Sequence, residues 1–278
     1  MSEIEMETKQ DYWNGPGGDT WVASQPFMDS ILEPFANAVL DEAQLPEAGT
    51  VVDVGCGCGA STLMAARRQP GLRVIGVDVS SAMLERARQR ARDEELEIHF
   101  ECADAATASP AEGVDRIISR FGVMFFDDLG VAFGNMRRWL APGGRLVVAV
   151  WDPLDANPWM KNLFETLAAH VDVSLPPPGG PGPFSMGDPA KVEQILTQAG
   201  FSTVEQRPIG LPMRIPGSAE DAIRFHLERN LVTESLRDAT PQQRDAVHGA
   251  IRAYVEAGHD GQGLSMPASA RFVCAQVD

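Results

Sequence analysis

The longest unbroken apolar run in this sequence is the short stretch Leu146 to Trp151, far below the roughly 20 apolar residues that a helix needs to cross a bilayer. A helical membrane span is therefore excluded. The acidic N-terminus lacks the basic-then-apolar profile of an export signal, and a cytoplasmic chain is expected. Four cysteines, Cys56, Cys58, Cys102 and Cys274, are too few and too irregularly spaced for a disulfide framework in 278 residues, which fits a reducing compartment. The one close pair, Cys56 and Cys58, has no second Cys/His pair at ligand spacing, so no metal is expected. Long basic runs are also missing, and a formal net charge of −16 repels phosphate backbones and anionic lipid surfaces. Neither nucleic acid nor membrane is expected as a partner.

What is present is a globular composition, 44% hydrophobic and 22% charged, in a chain long enough for one large core or one core plus a subdomain. Between Thr50 and Val150 short β-branched runs alternate with amphipathic helical stretches, the pattern of a parallel sheet covered by helices. Strands are predicted at Thr50 to Val54, Arg73 to Val77, Glu97 to Cys102, Arg116 to Ser119 and Arg145 to Val150. The helix capped by Ser80 or Ser81 places Leu84, Ala87 and Ala91 on one stripe and turns Arg86, Arg88 and Arg90 toward water. Leu140-Ala141-Pro142-Gly143-Gly144 stops a helix and turns tightly into the strand from Arg145.

After Val150 the texture changes. Trp151-Asp152-Pro153 opens a loop, a helix is predicted from Pro158 to Val171, and the proline- and glycine-rich stretch Leu175 to Pro183 reads as a lid or connector. A helix from Asp188 to Ala199, strand-like Phe201 to Ile215, helical stretches Ala219 to Arg237 and Pro241 to Ala257, and a terminal strand Ala270 to Val277 complete the order. The organisation expected is an N-terminal helical cap over residues 1–45 and an α/β domain over 46–278, with lid or insertion segments at about 151–187 and 216–260.

The strongest signal is Val51-Val52-Asp53-Val54-Gly55-Cys56-Gly57-Cys58-Gly59-Ala60-Ser61, a buried strand that runs into a glycine-rich turn and then a helix. Alternate glycines allow positive φ and close approach of a ligand, and the helix start presents N–H groups to an anion. Dinucleotide-binding folds use a related turn, G-x-G-x-x-G. Here the order is G-x-G-x-G, and Asp53, two residues before the first glycine, suits an aminoacyl ammonium better than a pyrophosphate. Asp78 ends the second strand, where a carboxylate accepts ribose hydroxyls, and Asp104 follows the third, within reach of an adenine amine. Three strand-end acids thus match the three parts of one adenosyl amino acid.

Asp53 to Gly59, Asp78, Asp104 and the Leu140 to Gly144 turn together resemble the class I S-adenosylmethionine (SAM)-dependent methyltransferases. The stretch Asp115 to Val123 and the helix ending Met136-Arg137-Arg138-Trp139 are similar to the ubiquinone/menaquinone C-methyltransferase branch. The resemblance implies a Rossmann-like α/β fold with a seven-stranded, mostly parallel sheet whose last strand is antiparallel. It also implies SAM as cofactor, held by Asp53, Gly55, Cys56, Gly57, Gly59, Asp78, Val79, Met83, Asp104, Ala105, Arg120 and Trp21. A quinone acceptor is not implied, because the family's polar Arg-Asn pair after Phe-Gly is replaced here by Met124 and Phe125. The expected acceptor is a small, largely apolar molecule methylated at O, N or C by in-line displacement, on a monomer or homodimer.

Tyr12, Trp13, Phe121, Met124, Phe125 and Trp151 are the candidate acceptor-side residues; the N-terminal aromatics either shield the reacting centre or staple the N-terminus to the core. His226 is the candidate catalytic base, standing on an insertion helix from which a base would face the acceptor, with a surface histidine as the competing account. Asp127-Asp128 reads as a helix cap rather than a metal site. Two other readings stay open: an NAD(P)-dependent oxidoreductase on the same architecture, and a SAM-fold protein that catalyses a reaction without methyl transfer.

Overall fold

The computed structural model describes residues 9–173 and 182–278, so most of the proline-rich stretch Leu175 to Pro183 lies outside the described residues. Three N-terminal helices, α1 (Lys9–Trp13), α2 (Pro16–Ala23) and α3 (Gln25–Ala43), precede the first strand. The α/β region then runs β1 (Gly49–Val54), α4 (Ala60–Arg68), β2 (Leu72–Asp78), α5 (Ser81–Asp93), β3 (His99–Cys102), β4 (Val114–Arg120), α6 (Leu129–Trp139) and β5 (Leu140–Trp151). There follow α7 (Pro158–Ala168), α8 (Pro189–Gln198), β6 (Thr203–Ile209), β7 (Met213–Pro216), α9 (Ala219–Leu227), α10 (Asn230–Ser235), α11 (Pro241–Gly258), β8 (Gly263–Met266) and β9 (Ala270–Gln276).

Seven strands form one sheet in the order β3-β2-β1-β4-β5-β9-β6. The pairs on the β3 side of β5 are parallel, whereas β9 runs antiparallel to both β5 and β6. The last strand is therefore the reversed one, as the sequence reading implied. Strand order reverses between β1 and β4, the topological switch point at which open α/β sheets bind ligands. The inner strands are buried nearly end to end because helices cover both faces, which is why they read as continuous β-branched runs instead of alternating ones. Pro208 is tolerated within β6 because that strand is the sheet edge.

Several elements differ from expectation. The strand-like stretch Phe201 to Ile215 divides at Gly210-Leu211-Pro212: β6 joins the main sheet and β7 pairs with β8 in a separate two-stranded ribbon. The helix expected from Ala219 to Arg237 divides at Arg229, whose backbone is extended (φ −65°, ψ 137°). The Leu140 to Gly144 turn is absorbed into β5 as an irregularity between Val114 and Arg116, and it is clasped by Val277. Arg86 and Arg90 do not simply face water. Arg90 pairs with Asp29 at 2.8 Å and donates to the Cys58 carbonyl, and Arg86 donates to Gln25, so α5 is fastened to α3 and to the glycine turn.

Candidate active site

The C-terminal ends of β1, β2 and β4 converge on the glycine turn. Gly55, Gly57 and Gly59 all have positive φ (65°, 54° and 82°), a conformation that side chains other than glycine's adopt at a cost. A Cβ on Gly122 would lie 2.7 Å from the Val54 oxygen and 2.8 Å from the Gly55 Cα, so the β1 and β4 ends touch backbone to backbone. Ser119 reinforces the contact: its hydroxyl donates to the Val54 carbonyl at 2.7 Å and accepts from the Gly122 N–H at 3.2 Å. Phe121, just before Gly122, is held at φ 62° and stacks on Trp151, with ring centroids 3.9 Å apart.

Asp53 is fully buried. Its Oδ2 accepts from the Ser61 and Thr62 hydroxyls, both at 2.7 Å, while Oδ1 has no partner among the described residues. Burial, opposed by those hydroxyls and by Arg120, pushes its carboxyl up to about 6. Arg120 extends from the end of β4 into the same region, and its buried Nε and Nη1 are also without partners. Asp78 accepts from the Gly57 N–H at 2.8 Å and the Ser80 N–H at 2.9 Å, which ties the glycine turn to the end of β2. Its carboxyl is raised by burial, against the pull of these backbone donors. Asp104 follows the strand paired with Asp78 and is exposed, its Oδ1 accepting from the Ala106 N–H. Ala105 beside it is buried, and its carbonyl accepts from Asn135.

The N-terminal segment closes over this turn. Asn14 donates to the Val79 carbonyl at 2.9 Å and accepts from the Ser81 N–H, fixing α1 and α2 to the end of β2. Trp21 Nε1 and Met83 Sδ then stand 3.8 and 3.7 Å from where a Cβ on Gly57 would be. Edge-to-face contacts link Tyr12 to Trp13, and Trp13 to both Trp21 and Phe125. Cys56 and Cys58 are buried, with thiols held protonated by burial (Cys58 pushed up to about 12), so they serve as small residues between glycines. A separate cleft of about 320 Å³, lined by Phe126, Asp127, Lys191 and Gln198 among others, contains none of the strand-end acids.

Residues 51–144, which span the glycine turn, all three acids and Arg120, match the family model described as a methyltransferase domain. Residues 51–144 form a methyltransferase domain. It is 35% identical over 178 residues, 63% of this chain and 62% of the relative, to the trans-aconitate 2-methyltransferase of Methylobacterium radiotolerans. It is 40% identical over 104 residues, 37% of this chain and 47% of the relative, to the demethylmenaquinone methyltransferase of Thermus thermophilus. Across such curated relatives the chain spans from 22% to 65% of their length. Among solved structures it is similar to the Haemonchus contortus phosphoethanolamine N-methyltransferase 2 in complex with phosphomonomethylethanolamine and S-adenosylhomocysteine, with TM-score 0.59 and 16% identity over 100% of this chain and 61% of that one. That likeness establishes the fold.

Around the methyltransferase domain the acceptor-side candidates fall into two groups. Phe121, Met124 and Trp151 are buried in a floor shared with Phe35, and the Met124 sulfur faces the Trp151 N–H at 3.3 Å. Tyr12 and Trp13 of the cap, and Phe125, which Trp13 contacts, are half-buried. His226, on α9, is 1% exposed, which removes the surface account, and neither ring nitrogen has a partner among the described residues. Burial first, and the charge of Arg229 second, lower it to about 3, so it is neutral at pH 7 and a weak proton acceptor. The sequence reading missed Ser61 and Thr62, although their place in the first turn after the glycines was a usable signal. It also missed Arg229 and Trp159, which no local motif marks.

Proposed function

We propose that this chain binds SAM across the ends of β1, β2 and β4 and transfers its methyl group to a small-molecule acceptor. The observation that carries the reading is a pair of unmet, buried groups of opposite sign beside the glycine turn, Asp53 Oδ1 and the Arg120 Nε and Nη1. An ammonium and a carboxylate on one amino acid answer both. A dinucleotide offers neither in combination, and its pyrophosphate would meet the Asp53 charge.

Asp78, already held by Gly57 and Ser80, would accept the ribose hydroxyls, and Asp104 with Ala105 would meet the adenine. Met83 and Trp21 stand beside Gly57 and would cover the ligand there. When bound, SAM supplies a methyl group activated on a sulfonium, so the protein needs few reacting side chains and contributes alignment and exclusion of water. Here exclusion falls to the cap, residues 1–45, through Tyr12, Trp13 and Trp21. The floor of Phe121 and Trp151 and the segments at about 151–187 and 216–260 shape the acceptor side. The acceptor atom is an O, N or C nucleophile. His226, lowered to about 3, better suits a neutral wall of the acceptor site than a base.

Calorimetry with SAM, S-adenosylhomocysteine, NAD and NADP tests the cofactor, and release of S-adenosylhomocysteine with a panel of acceptors, those of the relatives included, tests the transfer. SAM and its product should both bind, with methyl transfer to at least one acceptor. Binding of NAD or NADP without SAM would overturn the proposal.

A further inference from the structure

Arg229 is a half-buried cation that pairs with no carboxylate among the described residues. It stands at the break between α9 and α10, and its guanidinium carbon lies 5.3 Å from the ring centre of Trp159 and 5.7 Å from that of Phe225. Nη2 reaches only the Met160 sulfur, at 3.5 Å, and Nη1 is buried with no partner. Burial lowers the group to about 10, and the one neighbour that favours its charge is the hydroxyl of Tyr254, a group neutral at pH 7. Arg271, which is buried at 6% exposure, differs in pairing with Asp152 at 2.9 Å. A charge withdrawn from water without a counterion is costly to a fold, and two aromatic faces compensate only in part.

A run of ring contacts links Arg229 to the strand ends: Trp159 contacts Trp151, which stacks on Phe121, the residue after Arg120. The following residue, Asn230, donates to the Tyr12 hydroxyl and accepts from Thr20, joining this part of the insertion to the cap. Phe225 contacts Phe27 of α3. The unpartnered Nη1 leaves an edge of the guanidinium for an incoming partner, the geometry in which arginine pairs with the oxygens of a carboxylate or phosphate.

We propose that the acceptor of this chain carries an acidic group, carboxylate or phosphate, and that Arg229 anchors it between Trp159 and Phe225. The proposal rests on the methyl-transfer reading and narrows the expected acceptor from a largely apolar molecule to one with an apolar body and an acid at one end. The test uses the full chain with trans-aconitate, its trimethyl ester, phosphoethanolamine and inorganic phosphate as probes, in calorimetry with S-adenosylhomocysteine present. A carboxylate or phosphate probe should bind and the ester should not. R229M, which keeps the packing volume, should weaken acid binding about 10- to 100-fold, the scale of a charge-assisted pair, and R229K should restore part of it. S-adenosylhomocysteine should bind both variants as it binds the wild type, which also shows that they are folded.

The imidazole resonances of His226, which feels the Arg229 charge, should also move on titration with the acid in the wild type and not in R229M. Preference for phosphate over carboxylate, or the reverse, identifies the anion. No acid binding to the wild type, binding of the ester as tight as the acid, or undiminished acid binding by R229M overturns the proposal. Failure of S-adenosylhomocysteine to bind the wild type sinks the methyl-transfer reading instead, so the two failures are distinct.

Discussion

Replacing Asp53 with Asn measures a charge that the ligand-free fold carries at a loss. The carboxyl is fully buried, with one oxygen bonded to Ser61 and Thr62 and the other unmet. Burial raises it from the usual 3.8 to about 6. A carboxyl with a raised value holds its proton more tightly in the folded chain than in the unfolded one, so stability falls as pH rises through that window and the whole penalty is present above it. At about 1.4 kcal/mol per pH unit, the rise corresponds to roughly 3 kcal/mol at pH 7. The Asn amide keeps an acceptor for both hydroxyls and carries no charge. Denaturant titration at pH 7 should therefore find D53N more stable than the wild type by roughly 2–3 kcal/mol, the difference closing near pH 4. SAM affinity should move the other way, by about tenfold or more, because the ammonium loses its counterion. Binding of SAM to the wild type near pH 6 should release protons, read as a buffer-dependent enthalpy, and D53N should release none at this site. A D53N chain less stable than the wild type at pH 7, or one that binds SAM as tightly, would refute the reasoning.

Three further outcomes are expected. Asp78→Ala, which strips acceptors from the Gly57 and Ser80 N–H groups, should weaken SAM binding at least about tenfold; unchanged calorimetric affinity would remove Asp78 from the site. Gly122→Ala places a Cβ 2.7 Å from the Val54 oxygen and should destabilise the chain by about 1–3 kcal/mol, since backbone on both sides cannot yield; a wild-type melting temperature would show that the strand ends are not in contact. His226→Phe keeps the ring packing with Phe225 and Tyr254. Because His226 is lowered from 6.5 to about 3, the wild type loses stability as pH falls through that range, while H226F should lack this loss. H226F should also change kcat less than about tenfold; a loss of about a hundredfold with binding intact would restore His226 as a base.

The sheet and the glycine turn were legible because each signal is local: buried parallel strands declare themselves as β-branched runs and the turn by its spacing. The helical excursion after β7 depends on contacts distant in the chain. No glycine or proline marks the break at Arg229; what holds it are rings on α7 and α9 and the bond from Asn230 to Tyr12, far away at the N-terminus. The four-residue strands β7 and β8 are too short to show a period. His226 lies in an amphipathic run in which a buried and an exposed histidine look alike.

The ribbon of β7 and β8 has a consequence for how such a protein can diversify. Met213 pairs with Met266 and Pro216 with Gly263, so the excursion that contains α9, α10 and α11 leaves and re-enters the scaffold at one stem. Its length and content can change without disturbing the register of β6 and β9, on which the sheet closes. The helical excursion can thus vary at this stem while the sheet that carries the glycine turn is kept.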